Sequence, residues 1–304
     1  MKRIAILLCC IFILSCSACG AKMEEVQSAA FEGQVQAEEN QYTEDVNHTE
    51  DANDVEEKSE AESIQDEIAK VEAQSCEYDN ADWGSMGQQQ MNQLTAQWYR
   101  LWDDELNSLW SRLSDELDAE TKANVLEEQR AWIKRKEQNV RGAGAAAFGG
   151  SLQPQLENSV AEEMTRARAY ILAGYLADAR NEAFAIPSEI QESIDMAELD
   201  LDDVFEKFEG QWIFDEARGA CVGVERTEAC AYGVVGSDWT VWVTGGDIIS
   251  DLDVYGYSEN SIIFKTAHDG CDSFYELSFN VDHSIYFSFG ASLATMDDVI
   301  VAAR

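Results

Sequence analysis

Apolar and polar positions divide the chain into four stretches. Behind Lys2 and Arg3 an apolar run extends from Ile4 to Leu14. A basic start followed by an apolar core of this length reads as a secretory signal, because spanning a bilayer takes about 20 apolar residues. Polar positions dominate from 23 to 74, where Phe31, Val35 and Tyr42 stand out among few large apolar side chains. Burial there cannot offset the entropy of ordering, so the segment is expected to be disordered.

Apolar residues then return at steps of three and four. Met91, Leu94, Trp98, Leu101, Leu109, Leu113 and Leu117 form a stripe, broadened by Trp102, Leu106 and Trp110. That spacing predicts an amphipathic helix over 85–117. After a break at Asp118, a second helix is expected over 120–141, with Ala123, Leu126, Ile133 and Val140 facing inward. Gly142, Gly144, Gly149 and Gly150 read as a loop, with Ser151 as a cap and Pro154 near the start of a third helix over 155–184. Val160, Met164, Ile171, Leu172 and Leu176 would form its inner face. Beyond Pro187 an acidic helical segment leads into short apolar runs over 212–214, 221–224, 230–235, 239–243, 248–254, 262–265, 274–279 and 285–289. Turn residues separate them, which predicts seven or eight strands. The expected class is α+β: an antiparallel helical bundle followed by a small antiparallel β meander, closed as a barrel or stacked as a sandwich.

Charge narrows the range of partners. The 304 residues carry a formal net charge of -38. Seventeen Asp or Glu face two Lys between positions 23 and 74, so self-repulsion should extend that stretch into a spacer. Nucleic acid is excluded as a partner, because neutralising phosphates needs clustered Lys and Arg. Basic proteins are favoured, since opposite charge speeds encounter. No Cys/His cluster has the spacing of a zinc site. Asp247, Asp251 and Asp253 lack the Gly and Glu of a calcium loop, so no metal or other cofactor is expected.

Directly after the apolar run comes Ser15-Cys16-Ser17-Ala18-Cys19-Gly20, which resembles a bacterial lipobox. The resemblance implies a diacylglycerol chain on Cys16 or Cys19 and attachment to the outer face of the cell membrane. Four more cysteines, Cys76, Cys221, Cys230 and Cys271, permit two disulfides outside the cytoplasm. Cys221 and Cys230 flank a short polar turn and form the first candidate pair. The expected layout is a signal and lipobox over 1–19, an acidic tether over 20–75, a helical domain over 76–185, a helical linker over 186–209 and a β-rich domain over 210–304.

One ordered set of motifs is specific. Asp103-Asp104-Glu105-Leu106-Asn107 is followed by Leu117-Asp118, by Gln129-Arg130-Ala131-Trp132-Ile133, by Gly149-Gly150-Ser151 and Pro154, and by Thr165-Arg166-Ala167-Arg168. In this order and spacing, residues 76–175 resemble the LprI-type lysozyme-inhibitor domain family, a small exported helical domain. The resemblance implies lysozyme, or another basic protein, as partner. That family usually carries cysteines where this chain has Leu94, Val140 and Val160, which points to a bundle held by packing. Asp103, Asn107, Gln129, Arg130, Thr165, Arg166 and Arg168 are expected to link helices and Trp132 to lie in the core, since no nucleophile stands beside a base and no catalysis is expected. The basic run Lys134-Arg135-Lys136 is the candidate contact with an acidic groove on a partner.

Two functions compete at this point. In the first, a surface lipoprotein binds and inhibits lysozyme through its helical domain. In the second, the β domain captures a small ligand or cell-wall component. Both place the protein at the membrane, and changing Cys16 and Cys19 together to Ala should move it from the membrane to the soluble fraction. An unacylated native N-terminus in mass spectrometry would refute the lipid.

Overall fold

Ser63 begins the first helix: its hydroxyl accepts a hydrogen bond from the Asp66 amide at 3.2 Å and caps α1 (Ile64–Asp79). The computed structural model describes residues 62–227, 233–235, 237–243, 247–248, 252–268, 271–296 and 298–304. Cys16, Cys19 and Cys230 lie outside these residues, as does the acidic segment before 62. Segment 64–75, expected to belong to a disordered tether, is instead part of a docked helix. Ile64, Ile68 and Val71 recur at helical spacing and are buried, while the acids occupy the other face. Charge averaged over the segment conceals that division.

Three long helices follow: α2 (Gln88–Glu116), α3 (Ala119–Ala145) and α4 (Gln153–Arg180). The break at Asp118 is a cap, with its carboxylate accepting from the amides of Glu120 and Thr121 at 3.0 and 3.1 Å. Consecutive helices run antiparallel, whereas α2 and α4 lie side by side in parallel. Gln88 bonds Gln155 near their starts and Arg180 bonds Glu116 near their ends. The deepest residues of α2 are Trp102, Leu106, Leu109 and Leu113, so the expected stripe is rotated toward its helpers. On α3 the buried positions are Val125, Gln129, Trp132, Gln138 and Gly144, while Ala123, expected inside, is exposed. Ser151 does not cap α4 with its side chain. The cap position is Leu152, and Pro154 sits in the first turn, where its missing N–H costs little.

The expected linker over 186–209 is divided between two cores. Helix α5 (Ser188–Ala197) buries Ile190 and Ile194 against the bundle, and α6 (Leu201–Phe208) buries Val204, Phe205 and Phe208 among the strands. Phe205 stacks on Trp239 with ring centroids 5.1 Å apart, and Phe208 on Phe279 at 4.3 Å. Each fully buried aromatic contributes about 1.5–3 kcal/mol of transfer free energy, which is enough to hold a short helix in place.

Nine strands are defined among the described residues. One antiparallel sheet runs in order through β1 (Gly210–Asp215), β2 (Ala220–Arg226), β3 (Trp239–Val243) and β4 (Asp247–Ile248). The other runs through β5 (Asp253–Ser258), β6 (Ser261–His268), β7 (Cys271–Phe279), β8 (Ile285–Gly290) and β9 (Asp298–Ala302). The meander is therefore two sheets, with no closed barrel. Reciprocal bonds between Ile213 and Ala303 join their edges beside β1 and β9, and a bridge from Val234 to Leu252 joins them elsewhere. Cys221 is half-buried on β2.

Helix α3 is where the helical and β parts meet. The register of β5 on β6 shifts between Val254 and Gly256, and the Tyr255 carbonyl there accepts from Arg141 Nε at 2.7 Å. Gly142 and Gly256 allow the backbones to touch: a Cβ on Gly256 would lie 2.5 Å from the Gly142 nitrogen, and one on Gly142 would lie 2.7 Å from the Tyr257 oxygen. Gly142 and Gly144 were expected to open a loop, yet both lie inside α3, because close packing rather than a turn requires them. Gly142→Ala should therefore destabilise the protein by about 1–3 kcal/mol through overpacking, read as a lower urea midpoint. Gly84→Ala, whose Cβ would meet only Asp82 at 3.8 Å, is the expected near-neutral comparison.

Candidate functional site

Because α4 is the central helix, its polar residues point into neighbours. Arg166 forms a bidentate pair with Glu72 of α1, one bond being 3.0 Å from Nε to Oε2, and its guanidinium lies 5.7 Å from the Trp102 ring centroid. Tyr170 donates to the same carboxylate at 3.1 Å. Two residues beyond Arg166, Arg168 is 3% exposed and donates from Nε to the Gln129 side-chain oxygen and from Nη2, at 3.3 Å, to Glu128 on α3. Burial lowers the Arg168 pKa and the Glu128 charge opposes that shift. Thr165 is fully buried beside them, and its hydroxyl has no hydrogen-bond partner among the described residues.

The first motif sits on α2, where Asp103 accepts from the Tyr99 hydroxyl at 3.1 Å and from Asn107 at 3.4 Å. Trp132 is buried on α3, while Arg130 faces solvent. In the connection to α4, Gly149 adopts φ 72° and donates its amide to Gln153 at 2.7 Å, Gly150 makes the adjoining turn, and the Ser151 carbonyl accepts from Asn92 at 2.9 Å. The motif residues are thus spread over the bundle and converge on no single cleft. Leu94, Val140 and Val160, which replace the family's cysteines, are half-buried.

The basic run is not a contiguous surface. Consecutive residues of an α-helix turn by about 100° each, so Lys134, Arg135 and Lys136 cannot share a face. Lys134 is exposed and Arg135 is half-buried. Lys136 turns inward, with its ammonium 4.7 Å from the Trp132 ring centroid and 5.3 Å from that of Tyr99, whose hydroxyl accepts from it at 3.3 Å. Burial lowers the Lys136 pKa. As a partner contact the run reduces to Lys134.

Several important groups escaped sequence reading. Arg112 grips Glu67 of α1 with bonds of 2.8 and 2.6 Å, and the Ser75 hydroxyl accepts from the indoles of Trp98 and Trp102 at 2.7 and 3.0 Å. Glu67, Glu72 and Ser75 stand at the end of the acidic segment, where composition hides individual acids. Glu105 is raised to about 7, first by burial and then by the Glu67 charge. Glu162 is buried on α4, and one of its carboxyl oxygens has no partner among the described residues. No group of three metal-ligating side chains occurs among the described residues.

Away from the β sheets, a groove of about 350 Å³ lies between the start of α3 and the end of α4. Leu117, Val125 and Ala179 give it apolar walls, and Glu128, Tyr175 and Asp178 are its main polar groups. Tyr175 donates to Glu128 Oε2 at 3.2 Å, the oxygen that also accepts from Arg168.

This arrangement defines the class: a small helical domain cross-linked by inward Arg–Glu pairs and fused to antiparallel sheets. Residues 76–172 match the model of a family described as lysozyme inhibitor LprI. The match covers about a third of the chain and bears out the resemblance carried by its motifs. The matched family is one of inhibitors rather than catalysts. No curated protein and no solved structure matches the chain.

Glu162 makes the bundle sensitive to pH. Burial raises its carboxyl from the ordinary 4.5 to about 8; Arg166 opposes the shift, and the Glu163, Glu72 and Asp79 charges add to it. A raised folded-state pKa means that the proton is held more tightly in the folded protein. The associated stability is present below about 4.5 and is lost as pH rises through about 8. Glu105 acts in the same direction up to about 7. The urea midpoint should therefore fall between pH 5 and pH 8.5, and Glu162→Gln, which stays neutral, should flatten most of that fall. Equal slopes in parent and variant would show that Glu162 does not hold its proton.

Proposed function

We propose that this chain is an exported, lipid-anchored protein whose helical domain binds lysozyme and slows its attack on the cell wall. The observation that carries the reading is the match of residues 76–172 to the lysozyme-inhibitor family. The leading apolar run and the small-residue context of Cys16 and Cys19 support export and acylation. A net charge of -38 supports a basic partner, because long-range attraction raises the encounter rate while close contacts set the lifetime of the complex. Inhibition by occlusion needs no catalytic group on the inhibitor, in keeping with motif residues that converge on no cleft.

The test uses the chain without its first nineteen residues. Mixed with a basic lysozyme at low salt, it should slow cell-wall cleavage in proportion to complex formed. Raising salt from about 0.05 to 0.5 M shortens the Debye length several-fold, so the association rate should fall steeply and the dissociation rate should change little. No binding to any lysozyme at low salt would end this reading, and capture of a wall component or small ligand by the β domain would then be the function to pursue.

A further inference from the structure

We infer that the groove between the start of α3 and the end of α4 is the docking site for a single cationic side chain of a basic protein partner; this deepens the proposed function and rests on it for the partner's identity. Its apolar walls, Leu117, Val125 and Ala179, suit the methylene stem of Lys or Arg, which buries its carbons while keeping its charge at a polar rim. Two carboxylates, Glu128 and Asp178, line the same groove, and no Lys or Arg does. The volume of about 350 Å³ is at the small end of ligand pockets, a size for one long side chain and its neighbours.

Two features show a built acceptor. Glu128 is held by Tyr175 and Arg168, and both bonds fall on Oε2. Oε1 accepts no hydrogen bond among the described residues, so a fixed carboxylate presents a free oxygen, and an incoming ammonium need not order it first. Asp178 lies in the last turn of α4 (Gln153–Arg180), where a negative charge opposes the helix dipole. It forms no ion pair among the described residues and is exposed, so it does not serve the helix that carries it. Buried Arg168 is engaged by Glu128, and Arg180, which follows Ala179 in the chain, is paired with Glu116.

Three variants of the mature chain separate the groove from overall charge. Asp178→Lys removes an acceptor, Ala179→Trp fills the groove without changing charge, and Asp104→Lys makes the same charge change on exposed α2 surface, roughly 20 Å along the helix from Leu117. At about 0.15 M salt, the first two should weaken lysozyme binding at least tenfold and the third less than twofold. If Asp178→Lys and Asp104→Lys weaken binding equally, or Ala179→Trp binds like the parent, the groove is not the contact, although the lysozyme reading survives. Tetralysine provides the second arm. It should shift the Val125 and Tyr175 amide resonances of the parent and not those of Ala179→Trp, and tetralysine acetylated on every side chain should shift neither. Those shifts in a parent that binds no lysozyme would keep the groove and discard lysozyme as its partner; their absence would overturn the groove.

Discussion

Helix α4 is surrounded by other helices along most of its length, yet it carries Glu162, Thr165, Arg166 and Arg168. A buried cation without a partner costs several kcal/mol, so this helix can form the core only if its neighbours supply acceptors at matching heights. Glu72 on α1 meets Arg166 from one side; Gln129 and Glu128 on α3 meet Arg168 from the other. Each contact adds little net stability once desolvation is counted, but each penalises any sliding of α1 or α3 along α4. The same constraint makes α1 part of the domain: without Glu72, Arg166 would lose its bidentate carboxylate beside Trp102 and Tyr170. Hydrophobic burial drives the bundle together, and the arginines select its register.

The second constraint is the contact of α3 with β5. Gly142 against Gly256 brings helix and strand backbones within van der Waals distance, which fixes the C-terminal end of α3 to the sheet. The groove lies at the opposite end of α3, its nearest residue, Glu128, being about 14 residues and roughly 20 Å from Gly142 along the axis. Each end of one helix therefore has its own task. One end joins the helical part to the sheets through glycine, and the other presents Glu128 toward solvent. Lys136 on the intervening turns packs against Trp132 and Tyr99, which keeps the middle of the helix inside the bundle. The proposed basic partner would then meet an acidic surface rather than the cationic run that sequence proximity made conspicuous.

Sequence by itself determined the class of fold, the three long helices, the strand meander and the family resemblance. Each of these is written in local periodicity or in ordered motifs that need no knowledge of distant contacts. The break at Asp118 and the first-turn position of Pro154 were legible for the same reason, whereas the cap expected at Ser151 was not formed. Helix rotation was less legible: with several Trp and Leu on adjacent faces of α2, the apolar stripe does not say which line is deepest, and α3 buries Gln129 and Gln138 while exposing Ala123. Only the tertiary structure decided that Ile64, Ile68 and Val71 belong to a docked helix, since their signal is diluted by acids on the other face. It alone separated Lys134 from Lys136, divided 186–209 between two cores and placed Gly142 against Gly256. The physical reason is common to all four. Whether a charge, a glycine or a short apolar stripe is buried depends on the surface it meets, and that surface comes from residues far away in the chain.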